Sequence, residues 1–233
     1  MTEPKIALIT GAGRGLGEGM ARHLAEAGVQ VIGTSRAGDQ PGFLALDVRR
    51  TGTFPGFVAD LRTRLAGARI DYLINNAGIG VYAPYPETTI DQFDDLVGVN
   101  LKGPYFLTQS LLPLISDGGR ILNVTTAVTR GVVPGMSAYA AVKGAIEVLT
   151  RYQAKELAAR SIRVNAIMGG AVETDFAGGI MRSDYVKDLA AHTITQGRIA
   201  TVDDITAAVP AILSDSFQWA TGSIIDLSGG QSL

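Results

Sequence analysis

Cysteine is absent from the 233 residues, and this absence removes a whole group of possible sites. Disulfides, thiolate metal ligands and a cysteine nucleophile are all excluded. The two histidines, His23 and His192, lie too far apart in the sequence to predict a shared metal site. We therefore predict no bound metal, and the lack of disulfides fits a reducing compartment.

Neither sign of charge is in excess, because 20 Lys and Arg face 22 Asp and Glu for a net charge of −2. A chain so near neutrality lacks the basic field that holds nucleic acid. No apolar run approaches the roughly 20 residues that span a bilayer. The N-terminus lacks the charged and long apolar regions of a signal peptide. We predict a cytoplasmic protein with neither a nucleic-acid nor a membrane partner.

Short β-branched runs alternate with longer amphipathic stretches along the chain. Most of the short runs are continuously apolar, which is typical of parallel strands buried on both faces. The predicted strands are Lys5–Ile9, Gln30–Thr34, Phe43–Leu46, Tyr72–Asn75, Arg120–Val124, Arg163–Ile167 and Ser223–Leu227. The predicted helices are Gly15–Ala27, Phe54–Leu65, Ile90–Ile115, Ser137–Ala159 and Val202–Ser214. This order predicts an α/β fold, a doubly wound parallel sheet with helices on both faces, in one domain over 1–233.

Two segments depart from the alternation. The stretch AGDQPG between Arg36 and Phe43 is too short and too rich in Gly and Pro for a crossover helix, so it predicts a loop. The second segment, about 169–198, is a glycine-rich insertion before the last βαβ unit, with a weakly amphipathic piece around Tyr185–Ala191. Its length predicts a lid over a substrate site.

A glycine-rich turn connects the first strand to the first helix. Glycines allow a tight turn and let backbone N–H groups approach a pyrophosphate, while the helix N-terminus adds its positive dipole end. A glycine-rich stretch alone is weak evidence, but here it has the strand before it and the helix after it. We predict nucleotide binding by Thr10-Gly11-Ala12-Gly13-Arg14-Gly15-Leu16-Gly17.

The end of the second strand indicates which dinucleotide is bound. An acidic side chain there would bind the 2′-hydroxyl of the adenosine ribose and repel a 2′-phosphate. This chain has Thr34-Ser35-Arg36 instead, so Arg36 is available to pair with a 2′-phosphate and Ser35 to add a hydrogen bond. Arg14 in the glycine turn is a further candidate. The sequence favours NADP(H), with NAD(H) as the alternative.

Tyr139 and Lys143 stand four residues apart in a predicted helix and therefore share one face. An ammonium beside a phenol favours the phenolate, so we expect Lys143 to lower the pKa of Tyr139. Both residue types are common on surfaces, and the pair gains weight only beside the other motifs.

Those motifs occur in a fixed order. They are the glycine turn, Asp47-Val48, Asn75-Asn76-Ala77-Gly78, Asn100, Thr125-Thr126, Tyr139-Ala140-Ala141-Val142-Lys143 and the closing IDLSGG at 225–230. Together they resemble the short-chain dehydrogenase/reductase family over essentially the whole chain, and within it the short members of the 3-oxoacyl-acyl-carrier-protein reductase type. The resemblance implies a Rossmann fold with a seven-stranded sheet of order 3-2-1-4-5-6-7.

The resemblance also implies a role for each matching residue. Tyr139 would be the general acid in carbonyl reduction or the base in alcohol oxidation. Lys143 would lower the Tyr139 pKa and bind the nicotinamide ribose, and Asn100 would hold a proton-relaying water. Thr126, thirteen positions before Tyr139, would polarise the substrate oxygen, with Thr125 as the fallback. The remaining cofactor contacts would come from Asp47, Val48, Asn76, Ala77, Gly78, Gly170, Val172 and Thr174.

Three departures from the family pattern keep alternatives open. Thr126 replaces Ser, Gly169 replaces Pro, and the helix after the second strand is missing. The main hypothesis is an NADP(H)-dependent reductase of a small carbonyl or acyl thioester. The alternatives are an NAD(H)-dependent alcohol dehydrogenase and a nucleotide-binding protein without turnover. The resemblance further implies a homotetramer, or a homodimer, through the helices 100–115 and 139–160 and the last strand.

Overall fold

The computed structural model describes residues 4–176 and 183–231, apart from the side chain of Tyr185. The described residues form a seven-stranded parallel sheet of order β3-β2-β1-β4-β5-β6-β7, which confirms the expected fold class and strand order. The strands are β1 Ile6–Ile9, β2 Gln30–Ser35, β3 Phe43–Ala45, β4 Ile70–Asn75, β5 Ile115–Thr126, β6 Arg163–Gly169 and β7 Ile224–Leu227.

Helices cover both faces of the sheet. They are α1 Gly15–Glu26, α2 Phe54–Leu65, α3 Ile90–Val97, α4 Gly103–Leu111, α5 Ser137–Glu156, α6 Asp184–Thr193, α7 Val202–Thr206 and α8 Val209–Ile212. One core layer joins α2, α4 and α5 to the sheet, and the other joins α1, α7 and α8. Alternate residues of β1 serve the two layers, since Ile6 and Leu8 face the first while Ala7 and Ile9 face the second. This two-sided burial is the reason why the strands are continuously apolar.

The predicted helix Ile90–Ile115 is wrong as one continuous element. A five-residue π-helical segment, Gly98–Lys102, separates α3 from α4, and a short 3₁₀ turn then leads into β5 at Ile115. The predicted helix Val202–Ser214 is also divided, because Pro210 begins a new turn in α8. Hydrophobic periodicity runs across both interruptions, so it did not reveal them.

The connection from β2 to β3 has no helix in residues 36–42, all of which are described, as AGDQPG predicts. In the predicted lid, α6 confirms the amphipathic piece, but positions 177–182 lie outside the described residues. A parallel bridge between Val172 and Ala200 ties the start of this segment to its end. Among the described helices, none has the length and apolar character needed to cross a membrane.

Candidate active site

The glycine turn lies at the carboxyl edge of the sheet, between the ends of β1 and β4. Thr10 joins the two strands, because its hydroxyl accepts from the backbone N–H groups of Asn76 and Ala77, both at 3.0 Å. The Asn76 amide donates to the carbonyl oxygens of Thr10 and Gly11 at 2.8 and 3.1 Å. Asn76 and Ala77 therefore hold the turn from the side of β4.

Two glycines in this turn are required by its shape. Gly11 has φ +64°, a conformation that other residues rarely adopt. A Cβ at Gly17 would lie 2.2 Å from the Gly11 carbonyl oxygen and 2.6 Å from the Asn76 amide nitrogen. Among the described residues, no side chain caps the first turn of α1. The free N–H groups at this helix N-terminus fit a phosphate or pyrophosphate.

Two arginines belong to this region, Arg14 in the glycine turn and Arg36 directly after β2. Arg14 and Arg36 are exposed, and neither forms an ion pair with another described residue. The Ser35 hydroxyl accepts from the Gly38 backbone N–H at 2.9 Å, so it stabilises the turn after β2. Both guanidinium groups thus remain available for an anion at the edge where the sequence places the adenosine ribose.

Gln40 is a residue of this region that sequence reasoning missed. Its side-chain amide donates to the Gly13 carbonyl oxygen at 3.4 Å, and a Cβ at Gly13 would lie 2.9 Å from the same nitrogen. The short, helix-free connection brings Gln40 back onto the glycine turn. The only sequence signal was the missing crossover helix, which does not indicate where the loop folds.

Asp47 and Val48 follow β3 at the same edge. The Asp47 carboxylate accepts from the Arg49 backbone N–H at 3.0 Å, and so caps a local turn. Val48 is buried, and its carbonyl oxygen lies so near Gly103 that a Cβ there would come within 2.6 Å. The start of α4 therefore packs against the segment that follows β3.

Tyr139 and Lys143 lie on the buried face of α5, as their spacing predicts. Tyr139 is 7% exposed and Lys143 is 5% exposed. The Lys143 ammonium donates to the Val124 carbonyl oxygen at 2.9 Å and lies 5.9 Å from the centre of the Tyr139 ring. A Cβ at Gly78 would lie 3.6 Å from the ammonium, so the chain after β4 passes close to it.

Burial controls the pKa values of this pair. It lowers the pKa of Lys143 from 10.5 to about 8, because the charged ammonium is poorly solvated. Burial also raises the pKa of Tyr139, and a weaker polar interaction with the Thr126 side chain acts in the opposite direction. The expectation of a lowered Tyr139 pKa is therefore wrong for this structure, where desolvation of the phenolate is the largest cause of the shift.

Asn100 lies in the π-helical segment, which redirects its side chain. The Gly103 N–H reaches back five residues to the Gly98 carbonyl, and Asn100 donates to the Leu96 carbonyl at 3.1 Å. Asn100 also exchanges two hydrogen bonds with the backbone of Ile79, at 3.0 and 3.2 Å. These hydrogen bonds fix the segment after β4 to the π-helical segment Gly98–Lys102.

The two threonines at the end of β5 have different partners. The Thr126 side chain interacts with Tyr139. The Thr125 hydroxyl instead donates to the Glu147 carboxylate at 3.1 Å and is buried. Because successive residues of a strand point to opposite faces, only one of them reaches the phenol. The geometry favours Thr126 over the fallback Thr125.

The segment after β6 returns to the glycine turn. At Gly170 a Cβ would lie 2.7 Å from the Ser228 carbonyl oxygen, so the backbone passes close to the end of β7. Val172 is buried, and the Thr174 side chain lies near Gly15, where a Cβ would be 3.5 Å away. Phe176, a second residue that the sequence did not single out, places its ring 5.7 Å from the Tyr139 ring.

Comparisons with known proteins find relatives that cover nearly the whole chain. The family described as Enoyl-(Acyl carrier protein) reductase matches residues 11–232. An uncharacterized oxidoreductase of Methylorubrum extorquens is 32% identical, with 98% of each chain covered. A 3-ketoacyl-(acyl-carrier-protein) reductase from Brucella melitensis, solved in complex with NADH, has a TM-score of 0.88 at 31% identity, with 99% of each chain covered. An angucycline C-6 ketoreductase with bound NADP has a TM-score of 0.88 at 30% identity, covering 98% of this chain and 95% of the neighbour.

Proposed function

The chain belongs to the short-chain dehydrogenase/reductase family, and from this premise we propose that it is an NADP(H)-dependent carbonyl reductase with Tyr139 as general acid. The observation that carries the proposal is the buried Tyr139, held between the Thr126 side chain and Lys143 at the edge that carries the glycine turn. In the reverse direction the same residue would act as base on a secondary alcohol.

When bound, the reduced nicotinamide supplies the hydride. The Thr126 hydroxyl orients the substrate oxygen, and Tyr139 gives it a proton. The raised pKa of Tyr139 keeps the proton on the phenol at neutral pH, as reduction requires. When the proton leaves, the charge of the Lys143 ammonium would offset part of the desolvation cost of the phenolate. Asn100 would keep the path towards Lys143 ordered for reprotonation.

The cofactor would lie along the carboxyl edge of the sheet. Gly11, Gly13, Gly15, Leu16 and Gly17 would bind the pyrophosphate through the backbone and the α1 N-terminus. Further contacts would come from Asp47, Val48, Asn76, Ala77, Gly78, Lys143, Gly170, Val172 and Thr174. Arg36 and Arg14, neither of which forms an ion pair with another described residue, support with Ser35 the choice of NADP(H) over NAD(H).

The proton-donor role is tested with Tyr139→Phe. We expect kcat to fall by about 10²- to 10⁴-fold, the range of general acid catalysis, with NADPH affinity nearly unchanged in a fluorescence titration. Tyr85→Phe is the matched control, because Tyr85 is 83% exposed and lies outside the surfaces proposed for catalysis and self-association. A Tyr139→Phe enzyme of normal activity would refute the assignment. NADPH binding without turnover of any carbonyl by the parent protein would favour a non-catalytic nucleotide-binding function.

The cofactor preference is tested with Arg36→Ala. Loss of a charge-assisted bond costs about 1.5–3 kcal/mol, so the KM for NADPH should rise by roughly 10- to 100-fold while that for NADH stays constant. Arg62→Ala, at an exposed site on α2, is the control. Equal use of both cofactors by the parent enzyme would favour the NAD(H)-dependent alcohol dehydrogenase.

We also propose self-association as a homotetramer. Exposed Tyr105 and Phe106 on α4, Val148 and Tyr152 on α5, and Trp219 before β7 provide apolar surface on the elements implied by the family resemblance. Sedimentation at micromolar concentration should give a tetramer or a dimer, and a monomer alone would refute this. The lid role of 169–198 and the cytoplasmic location stay predictions.

A further inference from the structure

Apolar side chains from three different segments of the carboxyl edge pack into the cluster that contains Tyr139. Val81 follows β4, Val128 and Met136 follow β5, and Phe176 follows β6. They form one cluster with Tyr139, which is itself 93% shielded from solvent. The phenol is thus bordered by apolar side chains, and the Phe176 ring lies directly beside it.

The Phe176 ring packs between Tyr139 and Gly80 in this cluster. Its ring is tilted by 54° to that of Tyr139, with 5.7 Å between the ring centres. It also lies over Gly80, where a Cβ would come within 2.4 Å of the ring. Glycine at position 80 thus allows the aromatic ring to approach the reacting phenol from the side of the β4 segment.

The electrostatics of the same region are unfavourable for an anion. Burial is the largest cause of the raised pKa of Tyr139, and it also lowers the pKa of Lys143. The Lys143 ammonium is engaged with the Val124 carbonyl. Arg130 in the β5 segment is paired with Asp226 at 2.5 Å. A carboxylate or phosphate packed against Phe176 would lose its hydration, and the apolar side chains Val81, Val128 and Met136 could not replace it.

We propose that the substrate is an uncharged ketone whose apolar or aromatic group packs against Phe176, and that carbonyl compounds with an anionic group on that side are rejected. This inference rests on the proposed carbonyl reductase function and specifies its substrate class. Phe176 is a specificity-determining residue, since its ring supplies the apolar contact beside the phenol.

The charge selection is tested with three acetophenones that differ only at the para position. Methyl 4-acetylbenzoate and 4-acetylbenzamide are neutral, whereas 4-acetylbenzoate carries a carboxylate. We expect kcat/KM with NADPH at neutral pH to be at least about tenfold higher for both neutral ketones than for the anion. The amide separates charge from polarity. Equal or faster reduction of 4-acetylbenzoate would overturn the inference.

The contact with Phe176 is tested by substitution. Phe176→Ala should lower kcat/KM for methyl 4-acetylbenzoate roughly tenfold, mainly through KM, and Phe176→Leu should restore much of it because apolar area returns. Phe93→Ala is the matched control, since Phe93 is exposed on α3. NADPH binding and the unfolding midpoint of each variant report on the fold. Unchanged kinetics in a folded Phe176→Ala enzyme would overturn the inference.

A binding measurement separates this inference from the proposed function. Calorimetry with NADPH-loaded Tyr139→Phe protein measures ketone binding without turnover. We expect the ester to bind at least tenfold more tightly than the carboxylate, and the additional Phe176→Ala change to abolish this preference. If the parent protein reduces no carbonyl but shows this binding pattern, the proposed reaction fails while the ligand class stands. If the parent protein reduces carbonyls but binds the ester and the carboxylate equally well, the proposed substrate class is refuted and the reductase function stands.

Discussion

Replacing Lys143 by Met tests the buried ammonium through the pH dependence of stability. Lys143 is 5% exposed, and burial lowers its pKa to about 8 from an unfolded value near 10.5. A pKa that is lower in the folded state means that the unfolded chain binds more protons between these two values. The free energy of unfolding therefore rises with pH in this window. Met keeps an apolar stem of similar length but has no proton to lose.

The size of the effect follows from the two pKa values. Below about pH 8 the folded protein carries the full cost of the buried charge. Raising the pH from about 7 to about 9.5 removes most of this cost and should stabilise the parent protein by about 2 kcal/mol relative to Lys143→Met. Since the chain has no cysteine, no thiol titrates in this interval. Stopping at about pH 9.5 also limits the contribution of unfolded tyrosines, whose pKa is about 10.

Urea unfolding of both apo proteins, followed by circular dichroism at several pH values, measures the difference. Subtracting the two curves removes every titration that the proteins share. Curves that run parallel within about 0.5 kcal/mol would mean that Lys143 has an ordinary pKa in the folded protein, contrary to the burial argument. A difference of opposite sign would indicate that an anion stabilises the ammonium.

The remaining predictions concern backbone shape and core packing. Gly17→Ala should abolish NADPH binding in a fluorescence titration, because its Cβ would lie 2.2 Å from the Gly11 carbonyl oxygen. Gly56→Ala, in open space on α2, should instead leave binding intact and stabilise the protein by about 0.5–1 kcal/mol; loss of binding in both variants would contradict the steric argument. Phe54→Ala, at a side chain only 2% exposed, should cost about 3–5 kcal/mol in urea unfolding, and a cost below about 1 kcal/mol would show that the site collapses around the cavity.

Local patterns gave most of the architecture. Continuous apolar runs such as Ile6–Ile9 predict strands covered on both faces, and β1 serves both core layers. The AGDQPG stretch predicted a connection without a helix, and none is present in 36–42. The breaks within the predicted helices Ile90–Ile115 and Val202–Ser214 leave the hydrophobic pattern intact, so the sequence did not reveal them. In the π-helical segment the Asn100 amide donates to the Leu96 and Ile79 carbonyl oxygens, contacts that periodicity does not encode.

By itself the sequence determined which residues share a helix face or follow a strand at a common edge, since spacing and strand ends are local properties. Only the tertiary structure decided what surrounds them. Burial raises the pKa of Tyr139, because desolvation depends on every element packed against the phenol. Phe176 beside Tyr139 and Gln40 on Gly13 are likewise contacts between segments distant along the chain, and no local pattern specifies them.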